Sequence, residues 1–257
     1  MNNCKKGILL SFSLWLSFNG YAQKKVWVTD ANKILNFCFQ YTHVFPSGDF
    51  ANRFENFNGI GAGVMLKTKH NVLLGFDGNY YFGSRLKPNN ILSNLTNANG
   101  TISNGSGYPA TLSMGMRGFS VLGKGGYVFP LSHKNRNSGI VILLGGGLVM
   151  HKINLSTTRN DIAALTEDKK AGYDRYSSGW AANQFIGYIH QSKNKAINFY
   201  VGVDLMQAFT YNRRKFNYDE MAYDLGLHRD YYLGLRFGWM IPRYINTKNN
   251  DDEFIFN

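Results

Sequence analysis

Apolar and polar residues alternate with a period of two in stretch after stretch of this chain, which is the pattern of strands with one greasy face and leaves few folds open. Leu35, Phe37, Phe39 and Tyr41 fall on one side of the first such stretch, with Asn36, Cys38, Gln40 and Thr42 on the other. Val72, Leu74, Phe76, Tyr80 and Phe82 oppose Gly75, Asp77, Asn79 and Tyr81 in the next. Further on, Ile197, Phe199, Val201, Val203 and Leu205 oppose Asn198, Tyr200, Gly202, Asp204 and Met206. Tyr231, Leu233, Leu235, Phe237, Trp239 and Ile241 oppose Tyr232, Gly234, Arg236, Gly238 and Met240. Four more segments, at 59–67, 112–129, 140–153 and 180–191, have the length, glycine and aromatic content and turn-rich flanks of strands. The segment 140–153 is apolar on both sides of Gly145-Gly146-Gly147, and its periodicity does not say which face points inward.

Connector lengths select the architecture. Three links are short, polar and basic: 67–71, 132–138 and 192–195. They alternate strictly with four long ones, at 46–58, 83–110, 154–179 and 212–229. Alternating tight turns and long loops over an even number of strands predict an all-β fold, an eight-stranded antiparallel up-and-down transmembrane β-barrel over residues 34–242, with tight turns and both termini in the periplasm. A water-soluble barrel would turn its bulky residues inward, whereas here they form continuous ranks opposite glycine, amide and charge. An eight-stranded bore is just wide enough for side chains, so the small and polar set is expected inside and the large aromatics outside. Aromatics near the strand ends, Tyr80, Tyr81, Phe82, Trp180, Phe209 and Tyr211 at one end and Tyr127, Phe129, Trp239 and Tyr244 at the other, read as interfacial girdles.

The N-terminus supports export. Lys5 and Lys6 precede a short apolar stretch, and Gly20-Tyr21-Ala22 ends in the small residues that a signal peptidase reads, so residues 1–22 are expected to be a signal peptide cleaved after Ala22. A periplasmic segment, 23–33, would follow. Loss of Lys5 and Lys6 lowers the net charge from +12 to about +10. Only Cys38 would remain, which excludes an internal disulfide and leaves it as a small strand residue. No apolar run after the leader is long enough for a membrane helix.

Four ionisable residues fall on inward positions. Asp77 and Lys124 lie at similar depth on neighbouring strands, and Asp204 and Arg236 face each other on the last hairpin. Unpaired charge in so narrow a bore is costly, so two ion pairs are expected, with Asn36, Gln40 and Asn79 completing a polar plug. Gly118 to Lys124 spells most of a phosphate-binding loop, but Gly125 stands where the motif needs a hydroxyl and no helix follows. The six histidines lack metal spacing, and neither a metal nor another cofactor is expected. His151, with Ser156 and Asp161 beyond it, is the best candidate for a hydrolytic constellation at the rim.

Two loops mix cations with aromatics: Gly172 to Tyr176, with Tyr173, Asp174 and Arg175, and Tyr211 to Asp219, with Arg213, Arg214, Lys215 and Tyr218. Such residues suit an anionic sugar, a lipid head group or a protein, and equally suit loops that pack on one another. Nucleic acid is not an expected partner outside the cell. The Asn/Gly/Ser-rich stretch with sequons at Asn94, Asn99 and Asn104 reads as a long surface loop. Residues 243–257 would be a periplasmic tail, where an acidic stretch and then Phe254, Ile255 and Phe256 could dock on a periplasmic protein.

The whole resembles the small eight-stranded outer-membrane barrels of the OmpA and OmpX class. The stretches His151-Lys152-Ile153, Gly172 to Arg175, Asn183 to Tyr188, Ile197 to Tyr200, Arg213 to Asp219 and Gly238 to Pro242 further resemble outer-membrane proteins of Bacteroidota. That resemblance implies an outer-membrane lipid environment and the company of large envelope machines, such as secretion or barrel-assembly systems, and brings no catalytic residues. A non-enzymatic structural or binding subunit is therefore the leading expectation, ahead of a rim hydrolase acting on lipid A or surface peptide and of a narrow channel.

Overall fold

The computed structural model describes residues 32–245 except 88–90, 98–100, 111, 158–161, 163–164, 193–196 and 215. The leader, most of the 23–33 segment, Asp161, Lys215 and the Phe254, Ile255 and Phe256 tip of the tail lie outside the described residues.

Eight strands form: β1 (Ile34–Gly48), β2 (Phe57–Lys67), β3 (Val72–Gly83), β4 (Leu112–Pro130), β5 (Gly139–Thr157), β6 (Ser177–Gln191), β7 (Asn198–Asn212) and β8 (Leu227–Tyr244). Each pairs antiparallel with the next, and β8 returns to β1 in a register running from Ile34 opposite Tyr244 to Gly48 opposite Asp230, so the sheet closes on itself. Closure removes every edge, and each backbone donor and acceptor in the wall has a neighbouring strand to bond. Two short helices, α1 (Asp49–Arg53) and α2 (Glu167–Lys170), lie in the first and third long loops.

Several strands outrun the apolar alternation that marks them in the sequence. β5 continues past Ile153 to Thr157, and β8 begins at Leu227 and runs to Tyr244, two residues beyond the expected barrel end at 242. These extensions hold because the ladder goes on satisfying the backbone: Arg243 and Tyr244 still pair with Leu35 and Ile34. Their side chains are mixed in polarity, so no period of two announces them.

The faces divide sharply. Phe37, Phe39, Leu74, Phe76, Leu144, Ile186, Leu235, Phe237 and Trp239 are exposed on the outer wall, Phe76 at 61% and Leu235 at 54%. On β5 the pairing decides what periodicity leaves open. Gly145 lies opposite inward-facing Lys124, so Val141, Leu143, Val149, His151 and Ile153 point inward and Ile140, Ile142, Leu144, Leu148 and Met150 outward.

One expectation is overturned. Large aromatics do enter the bore: Phe185, Tyr200 and Tyr232 are buried there, and so is Tyr81, which is therefore not part of the expected outer girdle. Glycines on inward positions make the room. A Cβ on Gly59 would stand 2.8 Å from the Tyr81 ring, one on Gly187 2.8 Å from Phe185, and one on Gly238 would clash with the phenol of Tyr200. Inside, an apolar layer of Cys38, Leu73, Val128, Val141, Phe185, Ile189 and Met240 fills the end near the tight turns. A second layer, with Val44, Phe50, Phe54, Phe57, Leu122, Val149 and Ile153, fills the end near the long loops.

Candidate functional site

Two regions gather chemistry: the charged layer between the apolar layers, and the mouth at the long-loop end. In the first, Lys124 Nζ lies 2.5 Å from Asp77 Oδ2 and Arg236 Nη2 lies 2.7 Å from Asp204 Oδ2. Arg236 Nη1 also reaches Asp77 Oδ2 at 3.4 Å, so the two pairs join into one chain of balanced charge. Neutral side chains complete it. Asn79 donates to Asp77 at 2.8 Å, Gln40 to Asn79 at 2.7 Å and the Tyr200 hydroxyl to Gln40 at 2.6 Å. Tyr232 donates to Asp204 at 2.8 Å and exchanges a 3.1 Å bond with Tyr81. Asn36 lies lower, accepting from Gln191 at 2.7 Å at the tight-turn end, where Lys67 also donates to Asn137. Such a layer is stable only when each charge has a partner, because the bore's low polarity strengthens both attraction and desolvation. Gly118 to Lys124 is plain strand within β4, with the lysine spent on Asp77.

At the mouth, Gly48 takes a positive φ of 62° that turns the chain off β1 into α1. Asp49 accepts a 2.7 Å bond from the backbone N–H of Arg229, which ties the helix to β8. The Phe50 ring meets those of Phe54 and Phe57 edge-on at 5.3 and 5.2 Å, and Phe50 lies 4.8 Å from the His151 imidazole. These rings form a lid of side chains over the bore. Above it is a cleft of ≈ 450 Å³, lined among others by Asp49, Arg53, Arg175, Asp219, Asp224 and His228. Arg53 approaches Asp224 at 3.9 Å and His228 bonds the same carboxylate at 2.9 Å.

The two basic aromatic loops interlock. Arg214 grips Asp174 through two bonds of 2.8 and 2.6 Å and stacks over the Tyr176 ring at 5.4 Å. The hydrogen bond to Asp174 pushes the Arg214 guanidinium further above its usual range. Arg175 binds Asp219 by two nitrogens and reaches Glu220 at 2.9 Å. The rings of Tyr173 and Tyr218 lie 5.5 Å apart, and burial pushes the Tyr173 phenol up. Arg213 donates to Ser178 at 2.7 Å, and Asn94 of the second long loop donates to the Tyr218 carbonyl. Arg175, Arg213 and Arg214, which the sequence offers as ligand contacts, are therefore engaged with other parts of the same rim.

The rim constellation does not assemble. His151 points inward, 2% exposed, whereas Ser156 is on the opposite, exposed face of the same strand, because an odd number of residues separates opposite faces. The partner of His151 is Asp230, 2.9 Å from its Nε2, and Asp230 also accepts a 2.5 Å bond from Thr210. Phe50 and Phe54 cover this trio. Sequence reasoning missed Asp230, Thr210, Asp49, Arg53, Asp224 and His228, which meet through pairing across the barrel and share no motif along the chain. Among the described residues no group of three or more His, Cys, Asp or Glu is placed to hold a metal ion.

No protein-family profile matches the chain, and no curated protein sequence matches it. Among solved structures it is similar to Ail, the attachment invasion locus protein of Yersinia pestis, at 9% identity and a TM-score of 0.46, over 81% of this chain and 99% of that one. It is also similar to Neisserial surface protein A, at 9% identity and a TM-score of 0.39 over 80% and 96%, and to the N-terminal β-barrel domain of Pseudomonas aeruginosa OprF, at 11% and 0.34 over 79% and 96%. Likenesses this distant say nothing of activity or partners.

Proposed function

We propose that this chain is an outer-membrane barrel that neither catalyses nor conducts, and that it presents its interlocked loops to another component of the envelope, as a structural or binding subunit. One observation carries the reading: the outer wall is apolar from strand to strand, while Asp77, Lys124, Asp204 and Arg236 are paired at the axis. Water would leave such a wall as an apolar patch far larger than a monomer carries, and an acyl layer covers it at no cost. A sealed, charge-balanced core argues against conduction. A buried His151 under phenylalanine rings argues against hydrolysis, since substrate has no approach to it. The leader ending at Ala22 and the resemblance of the C-terminal half to Bacteroidota outer-membrane proteins belong to the same reading.

The test has three arms. The protein should require detergent and migrate differently on a gel before and after boiling. It should give no conductance above background in a planar bilayer. Crosslinking in native membranes should trap the same partner through the rim and lose it when the loops at 172–176 and 211–219 are replaced by short turns. Solubility without detergent removes the membrane reading, steady conductance removes the sealed core, and an unchanged crosslinking pattern removes the loop role.

A further inference from the structure

Among the described strand residues, the Lys, Arg, Asp and Glu side chains that point outward are Arg117, Lys152, Arg229 and Arg243, and all are cations. The strand carboxylates Asp77, Asp204 and Asp230 all face the bore. Arg117 and Lys152 are direct partners across β4 and β5. Like charges placed opposite one another repel, and nothing in the wall compensates them. Among the described residues the Arg117 guanidinium bonds its neighbour's carbonyl, on Met116 at 2.8 Å, and neither residue is in an ion pair. Asp174, which lines a small cleft with Lys152, is held by two bonds to Arg214.

Next to this pair the wall carries an apolar groove of ≈ 170 Å³, lined by Tyr80, Phe119, Met150 and Tyr176 together with Arg117 and Lys152. Its height is informative. Ten residues of β4 separate Arg117 from Tyr127, near the tight-turn end, which at a strand tilt of ~40° is a rise of about 25 Å, the thickness of the apolar band of such barrels. The two cations thus stand where the hydrocarbon layer gives way to head groups on the loop side.

We infer that this face of β4 and β5 binds a phosphorylated glycolipid of the outer leaflet, its phosphate on Arg117 and Lys152 and an acyl chain along Phe119 and Met150. The inference rests on the membrane reading above. A phosphate supplies an anion to both cations and accepts several charge-assisted hydrogen bonds at once, which also relieves their mutual repulsion.

The test is a native mass spectrometric titration of the full mature chain in detergent with monophosphoryl lipid A, with the same lipid stripped of its phosphate, and with inorganic phosphate as competitor. Wild type should hold the phosphorylated lipid at least tenfold more tightly than the stripped one, and R117Q/K152Q should lose that preference. R117K/K152R, which keeps both charges, and R243Q, which removes an outward cation at the other end, should retain it. Equal binding of both lipids by wild type overturns the inference, as does undiminished preference in R117Q/K152Q or displacement of the lipid by millimolar phosphate. Failure of the membrane reading is distinguishable, because it shows as a protein that dissolves without detergent and lacks heat-dependent migration.

Discussion

Arg236 touches Asp204, Asp77 and Thr42, and its position near the axis makes it the residue on which the charged layer depends. Replacing it with leucine leaves Asp204 buried without a cation and Asp77 with Lys124 alone. Arg236→Leu should therefore cost about 3–5 kcal/mol, read as a lowered urea midpoint in detergent. If the midpoint is unchanged, the pairs do not hold the layer together. Glycine carries the complementary burden. Gly238→Ala places a methyl against the Tyr200 ring, and overpacking of this kind costs roughly 1–3 kcal/mol. Tyr200→Leu in the same chain should recover part of that loss, and strict additivity of the two changes would show that the residues do not compete for space. The charged residues of this layer are visible in the sequence as inward positions on a period of two. The glycines are visible too, but the aromatic each one accommodates is not, since Gly238 and Tyr200 are brought together by pairing of β7 with β8.

At the scale of elements, α1 and the two outer loops behave as a rim built on the barrel. The two loops are joined by ion pairs with a partly exposed partner, Arg214 among them, so each is worth little and the loops should open without the wall, whereas α1 is held by the buried rings of Phe50 and Phe54. A double-mutant cycle on Asp174→Asn and Arg214→Gln should give a coupling of about 1 kcal/mol or less, and the double variant should exchange loop amides faster while its global unfolding stays put. Matching changes in both measurements would mean that the loops and the wall form one cooperative unit. The trio under α1 is different because it is sealed. Asp230→Ala leaves His151 and Thr210 without their shared acceptor, and a loss of about 1–3 kcal/mol is expected in the same urea experiment. The sequence announces the loops by their length and composition, and it offers their aromatic and charged residues equally for ligand or for packing. Register settles how those residues are used, by bringing the loop of Asp174 beside that of Arg214.

For the whole molecule, the sequence by itself determined the strand count, the alternation of short and long connectors and the two faces of four strands, together with the inward position of Lys124 on a fifth. These follow from local rules: side chains alternate along any extended backbone, and antiparallel neighbours need only tight turns at one end. The tertiary structure alone decided the inward face of β5, the reach of the strands past their apolar stretches, the joining of two ion pairs through Arg236, the room for four aromatics in the bore and the separation of His151 from Ser156. Each of those depends on register around a closed ring, a property of pairs of strands that no single strand carries. Where both faces of a segment are apolar, as at 140–153, or where residues distant in the chain share one small space, the alternation is silent and the closure of the sheet supplies the answer.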